Sequence, residues 1–123
     1  MSSSVVIRRS GGFYTVFDDD AIIISYLTGY KVSNSKCGFP INSLNKVTNL
    51  LDDNTINYVV RENMEDIDSR NYRKLNKYDK VLEKGKKKFD IDYRVNDVID
   101  KIKLLSYDRL CELLDVIEEY CNE

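Results

Sequence analysis

The amino-acid sequence predicts an α/β domain: a small mixed β-sheet flanked by helices, followed by a C-terminal helical pair. Three features carry this reading. Val5 to Arg9 and Phe13 to Phe17 are runs rich in β-branched and aromatic residues. They are separated by Ser10-Gly11-Gly12, which together spell strand, turn, strand. Asp19 to Thr28 follows Asp18 as a capping residue, opens on carboxylates and stops at Gly29, the boundary signals of a helix. Beyond Asp92, apolar residues recur at helical spacing almost to the end of the chain.

Taken in order, period 2 puts Phe13, Thr15 and Phe17 on one side of the second strand and Tyr14 and Val16 on the other. Asp18 stands where an N-cap belongs, before a helix near Asp19 to Thr28 with an apolar stripe of Ile22, Ile23, Tyr26 and Leu27. The triple isoleucine alone would favour a strand, and the two boundary signals decide for the helix. Tyr30 to Val32 reads as a third strand, and Cys37-Gly38-Phe39-Pro40 as a breaker cluster around the single proline. A helix near Ser43 to Leu51 carries Leu44, Val47, Leu50 and Leu51. Ile56 to Val60 is a further strand. Asn63 to Ser69 is acidic and unpatterned, hence a loop. Arg70 to Lys88 is charged, with Tyr72, Leu75 and Leu82 at helical steps and Gly85 as the stop. Val95, Val98, Ile99 and Ile102 lie on one amphipathic helix. Ser106 caps a second, with Leu110, Leu114, Ile117 and Tyr120. The organisation is thus residues 1–90 as the α/β domain and 91–123 as amphipathic helices that pack on it, extend it, or dock a partner.

Composition narrows the function. At 123 residues and 42% hydrophobic, this is one domain's worth of chain, able to bury roughly two-thirds of its unfolded surface. No GxxxxGK[ST] run is present, which excludes nucleotide hydrolysis through a P-loop. The longest aliphatic run, Ala21 to Ile24, is far too short to span a bilayer, and Val5 to Ile7 is too short for a signal peptide. A cytoplasmic protein without a membrane partner is expected. Cys37, Cys111 and Cys121 are odd in number, form no CxxC and have no histidine beside them, so they read as buried or half-buried free thiols rather than zinc ligands. The same lack of histidine, and of any nucleophile with a local base, argues against an enzyme and against a cofactor. Asp18, Asp19 and Asp20 could in principle hold Mg²⁺, but consecutive helical residues point about 100° apart and suit a helix N-terminus better.

The net charge is -2, so no overall field draws the molecule to nucleic acid. The cationic charge is instead concentrated between Arg70 and Lys88, densest at Lys84, Lys86, Lys87 and Lys88. That block reads either as a phosphate-contacting patch or as the solvated end of a helix. Arg8 and Arg9 fall beside Phe13 at the turn. A basic and aromatic tip is what a groove-binding element shows, and also what a solvated hairpin end shows.

Gly11, Phe13, Tyr14, Phe17, Asp19, Asp20 and Ala21 resemble the GxFYxxFxxDA signature of the N-terminal mismatch-recognition domain (domain I) of the MutS family of DNA mismatch-repair proteins. The likeness continues in order. Lys36 to Pro40 resembles that domain's Gly-x-Pro segment, Asn42 to Leu51 the helix after it, and Tyr58 to Glu62 the strand ending in Glu. It covers Val5 to Glu62, about half the chain. The resemblance implies a stand-alone, non-catalytic module that binds distorted or mismatched double-stranded DNA. Phe13 matches the Phe that wedges beside a mispaired base, and Thr15 stands where the family has a Glu that bonds the base. Arg8, Arg9 and Lys36 would then steady the DNA backbone, and Lys86, Lys87 and Lys88 would add sequence-blind affinity. The alternative is a protein-interaction or regulatory module that kept the fold and lost the DNA site, acting as a homodimer or through a partner protein on the C-terminal helices.

Overall fold

The computed structural model describes residues 3–122. Five strands, β1 (Val5–Ser10), β2 (Phe13–Phe17), β3 (Lys36–Pro40), β4 (Tyr58–Glu62) and β5 (Glu65–Arg70), form one mixed sheet in the order β3-β2-β1-β4-β5. Only β1 and β4 run parallel. Among the described residues four α-helices accompany it: α1 (Asp18–Thr28), α2 (Leu44–Asp53), α3 (Tyr78–Ile102) and α4 (Tyr107–Cys121). The chain divides into two compact units, one up to Phe89 and one from Asp90 onward. Among the described residues no helix is long and apolar enough to cross a membrane.

The first unit is built by alternation. Val5 and Ile7 of β1, Tyr14 and Val16 of β2, Cys37 and Phe39 of β3, and Tyr58 and Val60 of β4 are all buried on one side of the sheet. Ala21, Ile23 and Ile24 of α1, Val47 and Leu51 of α2, and Tyr78 and Val81 of α3 complete that core. Burying each aliphatic side chain stabilises the fold by about 1.5–3 kcal/mol. The opposite face of the sheet is open, because the residues between these positions are exposed or only half-buried.

Several sequence expectations are corrected. Tyr30 to Val32 is not a strand; Tyr30 and Val32 pack against the core from irregular backbone. The third strand is Lys36–Pro40, reached through a tight turn at Asn34 and Ser35, whose φ angles are 52° and 60°. A proline is tolerated there because Pro40 ends an edge strand, where its missing N–H breaks no ladder. The stretch expected as an acidic loop contains β5, joined to β4 by Asn63 and Met64 with φ 50° and 67°. All six residues of β5 are exposed, so no apolar alternation marks it, and its charges protect the sheet edge.

The helices differ at their ends. Arg70 to Lys88 is not one helix; a short 3₁₀ turn at Arg73–Leu75 precedes α3, which begins only at Tyr78. Gly85 does not stop it. A Cβ at Gly85 would stand 2.9 Å from Ile22 Cγ2 and 3.4 Å from Tyr26 Cβ, so the glycine lets α3 pass close over α1. Asp18 is the first residue of α1 rather than its cap, and makes no capping hydrogen bond. Its N–H donates to the Ser35 carbonyl at 2.8 Å. Asp20 turns away from the helix end altogether: it accepts the Val6 N–H at 3.0 Å and the Tyr78 hydroxyl at 2.6 Å. Of the cysteines, only Cys37 is buried. Cys111 and Cys121 are exposed on α4, off the line of its half-buried Leu110 and Leu113.

Candidate nucleic-acid interface

The strand register assembles the open face in three rows. Across the middle run Gly38, Thr15, Arg8, Arg61 and Asp66, each paired with the next in neighbouring strands. Toward the β1–β2 turn lie Pro40, Phe13 and Ser10. On the other side Lys36 pairs with Phe17, and Val6 with Val59. Because side chains alternate along a strand and partners in register share a face, these residues form one surface.

Phe13 is 56% exposed at the hairpin tip, and Phe17 is 39% exposed two pleats away. Gly11, at φ 63°, makes the two-residue turn possible, and open space surrounds both Gly11 and Gly12. Arg8 is exposed and, among the described residues, has no carboxylate at ion-pairing distance. Arg61 is held by Asp66 at 2.8 Å. Lys36 Nζ lies 5.8 Å from the centre of the Phe17 ring, a cation–π contact. Thr15 lies between Arg8 and Gly38 with its hydroxyl on the same face. Asp18, Asp19 and Asp20 border a shallow pocket with Val6, Arg8 and Phe17, and so mark the acidic end of the surface.

Arg9 does not join it. It pairs in register with Tyr14, on the helix side of the sheet. Its Nη1 donates to Glu62 at 3.1 Å and its Nε to the Gly11 carbonyl at 3.2 Å. Arg9 therefore braces the turn from behind instead of standing beside Phe13. Glu62 also accepts the Tyr14 hydroxyl, and that bond, with help from Arg9, holds the Glu62 carboxyl below its ordinary range. The same bond pushes the Tyr14 hydroxyl up.

The lysine block lies on α3. Lys86 reaches Asp19 at 3.8 Å, and Lys87 reaches Glu83 at 3.4 Å on its own helix. Lys86 is thus tied to the acidic end of the open face, whereas Lys88 is exposed with no carboxylate at pairing distance among the described residues. Among those residues no group of three or more His, Cys, Asp or Glu is arranged to hold a metal ion.

Two members of the face escaped the sequence reading. Phe17 shares its strand parity with Phe13, which was visible in the sequence, but parity alone does not say which side is open. Arg61 joins only because β1 and β4 pair in parallel with Arg8 opposite Arg61, a long-range pairing that leaves no local signal.

In comparison with known proteins, no family model and no curated protein matches the chain.

Proposed function

We propose that this chain is a non-catalytic DNA-binding module that engages distorted or mismatched duplex through the β1–β2 tip and the face beside it. The observation that carries this reading is Phe13, a large apolar side chain 56% exposed at a projecting turn whose glycines leave room for a backbone to approach. Apolar wedges of this kind enter a base step, unstack it and kink the duplex. Arg8, one row behind, carries a free charge for a phosphate. The resemblance of Gly11 to Ala21 to the mismatch-recognition domain of the MutS family supports the same role for Phe13. With Thr15 in place of a carboxylate, Phe13 senses how easily a step deforms rather than which base is wrong. The cytoplasmic location expected from the sequence suits this reading.

The test is a gel-shift series on matched and mismatched duplex at two salt concentrations, run with the wild type and Phe13→Ala. Binding that falls with salt, and a preference for mismatched duplex that Phe13→Ala removes without lowering the melting temperature, is the expected result. An unchanged preference in the variant overturns the wedge.

A second reading has one observation in its favour. In the unit from Asp90 onward, Ile91, Val95, Val98 and Ile99 form an exposed apolar stripe on α3 beside Arg94. A protein-interaction or regulatory module would use such a stripe, and its complex would be indifferent to salt.

A further inference from the structure

The open face extends beyond what a wedge requires. Phe17 is not at the tip; it lies toward the far end of β2, about 13 Å from Phe13 by the rise of a strand. A projecting turn can enter a groove, but a flat sheet face cannot reach the base stack of an intact duplex. Two aromatic rings on such a face meet bases only where the bases are already unpaired. Their separation also exceeds the ~3.4 Å step of a stacked strand, so bases on both rings belong to an extended one.

From this juxtaposition we propose that the open face of β2 binds single-stranded nucleic acid, with one base on Phe13, another on Phe17, and the intervening backbone over the Arg8–Arg61 row. The proposal rests on the DNA-binding reading above and deepens it: where a duplex is distorted, the ligand of this face is the strand left unpaired. Charge placement favours this occupant. Arg8 is free, Arg61 gives one guanidinium edge to Asp66 and keeps the remainder, and Lys36 flanks Phe17. Between the rings, Thr15 and Gly38 keep the surface low. A Cβ at Gly38 would make only ordinary contact with the Tyr14 carbonyl and the Thr15 hydroxyl, at 3.7 and 3.9 Å, so it is the missing side chain that keeps this position low. A base arriving on Phe17 displaces Lys36 from the ring and frees its ammonium for the neighbouring phosphate. Asp18 and Asp19 share one pocket with Arg8 and Phe17 and repel phosphate on that side of the track. Aromatic stacking with guanidinium support is the general chemistry of single-strand binding and carries little sequence preference.

The experiment measures fluorescence anisotropy of labelled oligo(dT), oligo(rU) and blunt matched and mismatched duplexes with the full chain. Wild type is expected to bind both oligonucleotides, because ring faces and guanidiniums do not read a 2′-hydroxyl. Phe13→Ala and Phe17→Ala should each weaken oligo(dT) binding roughly tenfold or more. Arg8→Gln should reduce the salt slope by about one phosphate contact. Phe17→Leu keeps apolar packing without a π face, so it should melt like the wild type and still lose affinity. Duplex binding with no oligo(dT) binding, or wild-type affinity in Phe17→Leu, overturns the single-strand proposal and leaves the DNA-binding reading standing. Binding of oligo(rU) alone overturns the DNA-binding reading instead. Binding to no nucleic acid, or a dimer that dissociates in Phe13→Ala and Phe17→Ala, overturns both.

Discussion

The Tyr78 hydroxyl donates to Asp20 Oδ1 at 2.6 Å, while Asp20 Oδ2 accepts the Val6 N–H at 3.0 Å. One carboxylate thereby joins the start of α3, the start of α1 and the start of β1. Burial pushes the Asp20 carboxyl up, against the pull of these two donors, and burial together with Asp20 raises the Tyr78 hydroxyl strongly. Tyr78→Phe removes one donor and leaves the acceptor half-buried. A loss of about 1–3 kcal/mol is expected, read from chemical denaturation. An unchanged midpoint would show that water replaces the hydroxyl.

Gly85→Ala separates local propensity from packing. In an isolated helix the change stabilises by about 1 kcal/mol. Here the new Cβ meets the Ile22 Cγ2 methyl at 2.9 Å, on a β-branched side chain stiff about χ1, and the Ile22 backbone carbonyl oxygen at 3.4 Å. Overpacking of this kind costs about 1–3 kcal/mol, so thermal melting should show net destabilisation. A raised midpoint would mean that α3 shifts off α1 at no cost.

Glu62 predicts a pH dependence. Its carboxyl is held below the ordinary value of 4.5, first by the Tyr14 hydroxyl and then by Arg9. The unfolded chain therefore binds the proton more readily, and this stabilisation, complete above pH 4.5, is lost as pH falls through the lower folded value. Asp20, raised by burial, acts with the opposite sign: its ionisation costs stability as pH rises through its own elevated value. Glu62→Gln should flatten the acid limb of a stability–pH curve below about pH 4.5. Parallel acid limbs for variant and wild type would remove Glu62 from the brace behind the turn.

The lysine block is tested by replacing Lys86, Lys87 and Lys88 with Gln together. The ion pairs to Asp19 and Glu83 are exposed, and such pairs contribute at most about 1 kcal/mol each, so the melting temperature should move little. DNA affinity should fall about equally for all sequences, with a shallower salt dependence. Unchanged affinity and slope would make these lysines only the solvated side of α3.

Local signals in the sequence determined much of this protein. The β-branched and aromatic runs Val5 to Arg9 and Phe13 to Phe17, the glycine turn between them, and the spacing of Val47 and Leu51 each report on backbone geometry within a few residues. β1, β2, α1 and α2 were legible for that reason, as were β4 from the run Ile56 to Val60 and α4 from its cap at Ser106. The open and buried sides of β2 were legible as parity and undecided as direction, because Phe13 and Phe17 are as apolar as Tyr14 and Val16. Tertiary structure decided the rest. β5 carries charge on both faces because it is an edge strand, and edge position is a property of the sheet, not of the segment. Gly85 reads as a helix stop until Ile22 is brought against it. Arg61 stands beside Arg8, and Arg9 behind the turn with Glu62, only because β1 and β4 pair in parallel across more than fifty residues of chain. Pairings at that separation are selected by the shared core, whose free energy is summed over many side chains and is written in no single stretch of sequence.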